Sequence, residues 1–228
     1  MFKIIYQLTN DSESVASAIQ WTIEEFAADG CAYLELRSTP RSDPETGMTK
    51  DGYVAALLNG IHRASQTCPG ITVKIILSMD RRHTFEESMK TVALAKKYAS
   101  QGVVGLDICG DPMAGETRDL EALIVAAKER QIPITVHLAE MENRQEETET
   151  LLMAHPDRIG HGTFLTHGSK EELMTRTIPL EICMSSNVFC KTVADYSEHH
   201  FKDYMVDDHP CILCVSRTRF YPVHFVDG

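Results

Sequence analysis

Two spacings of apolar residues alternate along this chain. Short continuous apolar runs fall at residues 32–37, 73–79, 103–108, 134–138, from 159 onward, and 180–183. Each is shorter than an ordinary helix and is bounded by polar or turn-forming residues, which predicts buried strands. Between the runs, apolar positions recur every three or four residues and predict helices. Val15, Ala18, Ile19, Ile23 and Phe26 mark the first, which Gly30 closes. Tyr53, Val54, Leu57, Leu58 and Ile61 mark the second, and Met89, Val92, Ala93 and Lys96 the third. Residues 120–129 and 146–153 continue the series, followed by a short helix after residue 169. Asn10 with Glu13, Thr84 with Glu87, and Ser169 with Glu172 have the spacing of helix-capping pairs.

Six strands separated by helices make the βαβ rhythm of a parallel sheet, closed as a barrel or doubly wound. The rhythm decays after about residue 203. Residues 211–214 form one more apolar run, and residues 215–228 have no clear period and contain Pro222. No linker, repeat or low-complexity segment interrupts the pattern, and 228 residues suit one domain.

Composition narrows the function. Hydrophobic residues make up 43% of the chain, enough for a sizeable core. A net charge of -11 argues against a nucleic-acid surface, which needs a basic patch. It leaves room for a small anionic ligand held by a few arginines. No run approaches the ~18 apolar residues of a membrane span. The apolar start, Met1 to Tyr6, is too short for a signal peptide. Seven scattered cysteines read as reduced thiols. These features together set the expectation of a cytoplasmic protein with no membrane or nucleic-acid partner.

Nearly every strand ends in residues able to do chemistry. The endings are Arg37-Ser38-Thr39-Pro40-Arg41, Asp80-Arg81-Arg82, Cys109-Gly110-Asp111-Pro112, His137 with Glu140, His161, and Ser185-Ser186-Asn187. One such ending means little, but a barrel converges six of them on one mouth. His137 reads as a metal ligand or as a satisfied core histidine. Glu140, where strand gives way to loop, suits general acid–base work or is a solvated loop carboxylate. His161 lies between two glycines, which permit close approach or unusual dihedrals; its plainer reading is a turn histidine. Gly110 can offer its N–H to a ligand or simply make a turn. Arg41 can clamp a phosphate or carboxylate or lie on the surface. Pro210-Cys211-Ile212-Leu213-Cys214 carries half of the zinc signature of cytidine-type deaminases, but no histidine has a glutamate two places on. The Cys-x-x-Cys is therefore read as chance spacing in an apolar strand.

In these segments the chain resembles the adenosine/AMP deaminase family, in its adenosine deaminase-like branch. The resemblance rests on Tyr33-Leu34-Glu35-Leu36-Arg37-Ser38-Thr39-Pro40-Arg41 and Gly105-Leu106-Asp107-Ile108-Cys109-Gly110-Asp111-Pro112. It continues through Val136-His137-Leu138-Ala139-Glu140, Asp157-Arg158-Ile159-Gly160-His161-Gly162-Thr163-Phe164, and Ser186-Asn187. It implies a (β/α)8 (TIM) barrel with one zinc ion, active as a monomer on a small purine nucleotide. It implies deamination of N6-methyl-AMP to IMP and methylamine. His137 would ligate zinc, Glu140 protonate the purine ring, and His161 orient the attacking water. Ser38, Thr39, Pro40, Arg41 and Asp80 would hold the nucleotide, with Arg41 near its phosphate, and Gly110 would contact the purine.

The chain also departs from that pattern. The family draws two zinc ligands from a His-x-His on its first strand and another from an Asp-Asp pair near its last. No His-x-His occurs among the 228 residues, Tyr6 stands where a histidine is common, and Val215-Ser216-Arg217 follows Cys214 where Asp-Asp is expected. Asp207-Asp208 precedes the strand rather than following it. The expectation is an incomplete barrel over residues 1–214, with six full strands and a partial last one, and a divergent tail over 215–228. Weak zinc binding and no turnover are expected of this chain. The second function class is a fragment or splice form that is non-catalytic and keeps residual nucleotide binding.

Overall fold

The structure is a computed structural model that describes residues 2–206 and 209–215. Its residues gather into two compact units, Met1–Thr135 and Val136–Gly228. Asp207-Asp208 and the tail from residue 216 lie outside the described residues.

In the first unit the chain runs through α1 (Phe2–Leu8), α2 (Ser12–Ala28), β1 (Tyr33–Ser38), α3 (Lys50–Thr67), β2 (Thr72–Asp80), α4 (Phe85–Tyr98), β3 (Val103–Cys109) and α5 (Thr117–Glu129). β1 pairs with β2 in parallel from Tyr33↔Thr72 to Ser38↔Leu77. β2 pairs with β3 in parallel to Asp80↔Cys109, with a register shift at Ile75 and Ile76. Every strand end therefore faces the same way, as the sequence pattern requires. Ile75, Leu77, Met79, Leu106 and Ile108 are fully buried on these strands, and Val92 of α4 and Ile124 of α5 are fully buried on the helices.

The strand β4 (Ile134–Leu138) crosses the boundary between the units. Beyond it lie α6 (Gln145–Met153), β5 (Arg158–His161), α7 (His167–Thr175), β6 (Leu180–Ile182), α8 (Met184–Phe189), α9 (Phe201–Val206) and β7 (Cys211–Leu213). β5, β6 and β7 pair in parallel, with Ile159↔Leu180 and Ile182↔Leu213 in register. The six expected strands are all present. The run at 211–214 supplies a seventh of only three residues, two of them exposed.

Two helix starts differ from the capping pairs expected. Asp11, not Asn10, caps α2. Its backbone is extended at φ -132° and ψ 166°, and its carboxylate accepts the N–H groups of Glu13 and Ser14 at 2.8 and 2.9 Å. The Ser14 hydroxyl accepts the Asp11 N–H in return at 3.3 Å. Thr166 caps α7 by accepting the Ser169 N–H at 3.1 Å, so Ser169 sits inside the helix. Several neighbours have the right residue type; the one with extended backbone can turn its oxygen back onto the first turn. Thr84 caps α4 as expected, accepting the Glu87 N–H at 3.2 Å.

The helices α2 and α3 cross where Gly60 has no side chain. A Cβ at Gly60 would meet the Ala16 carbonyl oxygen at 2.5 Å and Ile19 at 2.8 Å. Ordinarily Gly→Ala inside a helix stabilises by ~1 kcal/mol. Here overpacking reverses the sign, and Gly60→Ala is expected to cost a net ~1–2 kcal/mol. Urea denaturation measures this; unchanged or raised stability would mean that the helices do not touch at this point.

Candidate active site

In the second unit, β4 and β5 place His137, Glu140 and His161 together. His137 is the fourth residue of β4, Glu140 lies two residues past the strand, and His161 ends β5. Glu140 Oε2 and His161 Nε2 are 3.4 Å apart, with side chains 19% and 12% exposed. The His137 and His161 ring centroids are 5.2 Å apart, with the rings inclined by 59°. A carboxyl group and an imidazole at this separation can exchange a proton between themselves or through a ligand.

The backbone that presents these groups is unusual. Ala139, His161 and Gly162 have φ of 52°, 63° and 59°, in the left-handed region. For a non-glycine residue that conformation costs ~1–2 kcal/mol, so neighbouring bonds must hold it. The Gly162 N–H donates to the Leu138 carbonyl at 3.1 Å, and the Phe164 N–H to that of Ala139 at 2.9 Å. Gly160 permits close approach instead. A Cβ at Gly160 would lie 3.1–3.3 Å from three atoms of the His137 ring. The two glycines flanking His161 thus do the two things glycine allows, one by its size and one by its dihedrals.

The first unit gathers the other expected residues into two groups. Ser38 and Arg41 meet at Tyr53: the Ser38 and Tyr53 hydroxyls are 2.7 Å apart, and Arg41 donates to the Tyr53 hydroxyl at 2.9 Å. Arg41 also donates to the backbone and side-chain oxygens of Thr9. Its guanidinium lies between two aromatic rings, 4.8 Å from the centre of Tyr6 and 4.7 Å from that of Tyr53. That geometry is the cation–π clamp that arginine forms and lysine does not reproduce. Pro40 is buried and Thr39 half-buried beside them. The second group is Asp80 with Gly110. Gly110 has φ 110°, and a Cβ there would lie 2.7 Å from Asp80 Oδ1.

Tyr53 and Arg82 were not among the expected site residues. Tyr53 reads in sequence as part of the apolar face of α3, and its hydroxyl partner appears only once β1 and α3 are packed. Arg82 is 64% exposed and holds Asp80, donating from its backbone N–H at 2.9 Å and from Nε at 2.8 Å. Burial pushes the Asp80 carboxyl up, but the hydrogen bonds and charge of Arg82 outweigh it and hold the pKa below the usual 3.8.

The zinc ion implied by the resemblance can be tested against these residues. A catalytic zinc takes about three protein ligands. Among the described residues no three histidine, cysteine, aspartate or glutamate side chains are grouped to hold a metal ion. The described residues therefore do not fit a zinc centre, and no step below depends on one.

Parallel β/α repeats with histidine and carboxylate groups at the strand ends are the arrangement of a (β/α)8-barrel site. The chain belongs to the adenosine deaminase family, whose model matches residues 1–214. It is 44% identical over 223 residues to N6-methyl-AMP deaminase of Danio rerio, covering 94% of this chain and 64% of that protein. It is 40% identical over 233 residues to the Homo sapiens N6-methyl-AMP deaminase, covering 98% and 66%. The crystal structure of Arabidopsis ADAL complexed with IMP matches with a TM-score of 0.88 and 36% identity, over 93% of this chain and 64% of that one. The fold is accordingly an incomplete (β/α)8 barrel, and the chain spans just under two thirds of the length of these relatives.

Because Asp80 is charged in the fold, its contribution to stability is present above the usual carboxylate range. That contribution is lost as pH falls through the depressed value. Removing the guanidinium takes away its hydrogen bond and charge, while burial and the bond from the residue-82 backbone N–H remain. Arg82→Ala is expected to raise the Asp80 titration, followed by carboxyl carbon NMR; an unmoved titration would mean that the Arg82 side chain does not set it.

Proposed function

We propose that this chain carries the purine-binding and proton-transfer residues of an N6-methyl-AMP deaminase. The observation that carries this reading is the Glu140–His161 pair at 3.4 Å, beside the His137 ring, in a member of the adenosine deaminase family. Hydrolytic deamination forms a bond between C6 of the purine and a water oxygen and protonates a ring nitrogen. It then breaks the bond from C6 to the exocyclic nitrogen, and methylamine leaves with a proton, giving IMP. Glu140 suits the proton transfer to the ring nitrogen, and His161 suits holding the attacking water and taking its proton. By resemblance His137 would be a single zinc ligand, too few by itself to hold the ion.

The nucleotide would be held by Ser38, Thr39, Pro40, Arg41 and Asp80, with Gly110 against the purine. Arg41 supports a phosphate contact: Tyr6, Tyr53 and Thr9 hold its half-buried guanidinium in one orientation, ready for an anion. A relative crystallised with IMP supports a purine monophosphate as the ligand class.

A second reading rests on the lack of a ligand group for zinc among the described residues. In this reading the 228-residue chain alone binds a purine monophosphate without turning it over. Calorimetry with IMP, zinc analysis, and an assay for IMP formed from N6-methyl-AMP decide between them. The expected outcome is IMP binding, less than one zinc per chain, and no turnover. Glu140→Ala should weaken IMP binding about tenfold, the cost of one charge-assisted hydrogen bond. Gly110→Ala, which drives a methyl into the Asp80 carboxylate, should abolish it. Stoichiometric zinc with turnover would overturn the non-catalytic reading, and no IMP binding would overturn both.

A further inference from the structure

The Ser-Ser-Asn ending of the sixth strand has no part in the chemistry above, nor does the His199-His200 pair that follows it. Both converge on the turn that carries His161. His200 Nε2 lies 2.9 Å from the His161 carbonyl oxygen. A carbonyl only accepts, so His200 carries its proton on Nε2 and donates. The Nδ1 of His200 is buried without a partner among the described residues, which agrees with the neutral form. At the other side of the turn, Asn187 Nδ2 donates to the Thr163 hydroxyl at 2.9 Å and to that of Thr192 at 3.0 Å.

The two donors are tied to each other through His199. The His199 Nδ1 accepts the Phe201 N–H at 3.1 Å, so its proton is on Nε2, which faces Asn187 Oδ1 at 3.3 Å. Burial pushes the His199 pKa down to about 4, so it is neutral at pH 7. The His199 and His200 rings stack at 4.4 Å with 22° between their planes, and Tyr204 meets the His200 ring edge-on at 6.3 Å. Asn187 and His199 are each 2% exposed. These are locked side chains, with orientations set by packing on one side and hydrogen bonds on the other.

The turn they grip needs holding. His161 has φ 63° and Gly162 φ 59°, and a Cβ at Gly162 would lie 2.8 Å from Leu180. If the His161 peptide relaxes, its ring swings away from Glu140. We infer that Asn187, His199 and His200 are positioning residues: they clamp the carbonyl of residue 161 and the hydroxyl of residue 163, and so hold the His161 ring against Glu140. The inference deepens the deaminase reading and rests on it only for its consequence in nucleotide binding.

The test compares the wild-type chain with His200→Phe, which keeps a ring but loses the donor, and His200→Gln, which keeps an N–H near the same place. NMR reads the Cα and Cβ shifts of His161, which report a left-handed φ, and the cross-peak between the His137 and His161 rings. Calorimetry with IMP reads the consequence. In His200→Phe the left-handed signature and the ring cross-peak should be lost, while signals of the first unit stay in place; His200→Gln should restore both. IMP affinity should fall about tenfold in His200→Phe and recover in His200→Gln. Should His200→Phe fail to fold, Thr163→Val removes the other anchor with little change of shape and should shift the same His161 signals. Unchanged His161 signals in the variant that folds, or no rescue by glutamine, would overturn the clamp. If the wild-type chain binds no IMP, the nucleotide reading fails, while the NMR comparison still decides the clamp.

Discussion

The second unit depends on a contact that only an absent side chain allows. The His137 ring lies close over Gly160, where a Cβ would come within 3.1–3.3 Å of three ring atoms. Strand interiors are close-packed, so a methyl there would press on the ring and shift it by a few tenths of an ångström. Beside it, His161 ends β5 in the left-handed conformation, with its imidazole 3.4 Å from the Glu140 carboxylate. Backbone bonds from Gly162 to Leu138 and from Phe164 to Ala139 then tie the two strand ends together. The turn thereby holds the Glu140 carboxylate and the His161 imidazole in a fixed relation to each other.

The first unit meets a different demand, which is to keep charges in a buried place. Asp107 is 1% exposed on β3, yet its carboxylate faces Arg37 of β1 at 3.4 Å and accepts from Ser78 of β2 at 3.1 Å. A buried carboxylate without such partners would be strongly destabilising. The same logic recurs at Asp80, where Arg82 compensates burial, and at Arg41, where two aromatic faces and Thr9 satisfy a half-buried guanidinium. Each of these side chains has its orientation fixed by protein partners. Polar groups held this way lose little further freedom when they meet another group.

Much of this was legible in the sequence, for reasons that differ by residue. The six apolar runs are the strands because a parallel strand buried on both faces must be apolar throughout. His137, Glu140 and His161 stood out as candidates because each lies at or just past the end of such a run, and strand ends are where a barrel keeps its chemistry. The glycines around His161 announced unusual backbone without saying which would supply space and which dihedral freedom. The caps were misplaced by one residue at α2 and three at α7. Asn, Asp, Ser and Thr all qualify by type, and only backbone dihedrals choose among them.

By itself, then, the sequence determined the alternation of strand and helix, the family, and the identity of the groups that end each strand. These follow from local periodicity and from short contiguous motifs. Tertiary structure alone decided which of those groups meet. Tyr53 joins Ser38 to Arg41 across a helix and a strand, Arg82 takes the charge of Asp80, and His200 reaches back 39 residues to the His161 carbonyl. A side chain's hydrogen-bond partner depends on distances fixed by packing between elements far apart in sequence, and no local pattern carries that information.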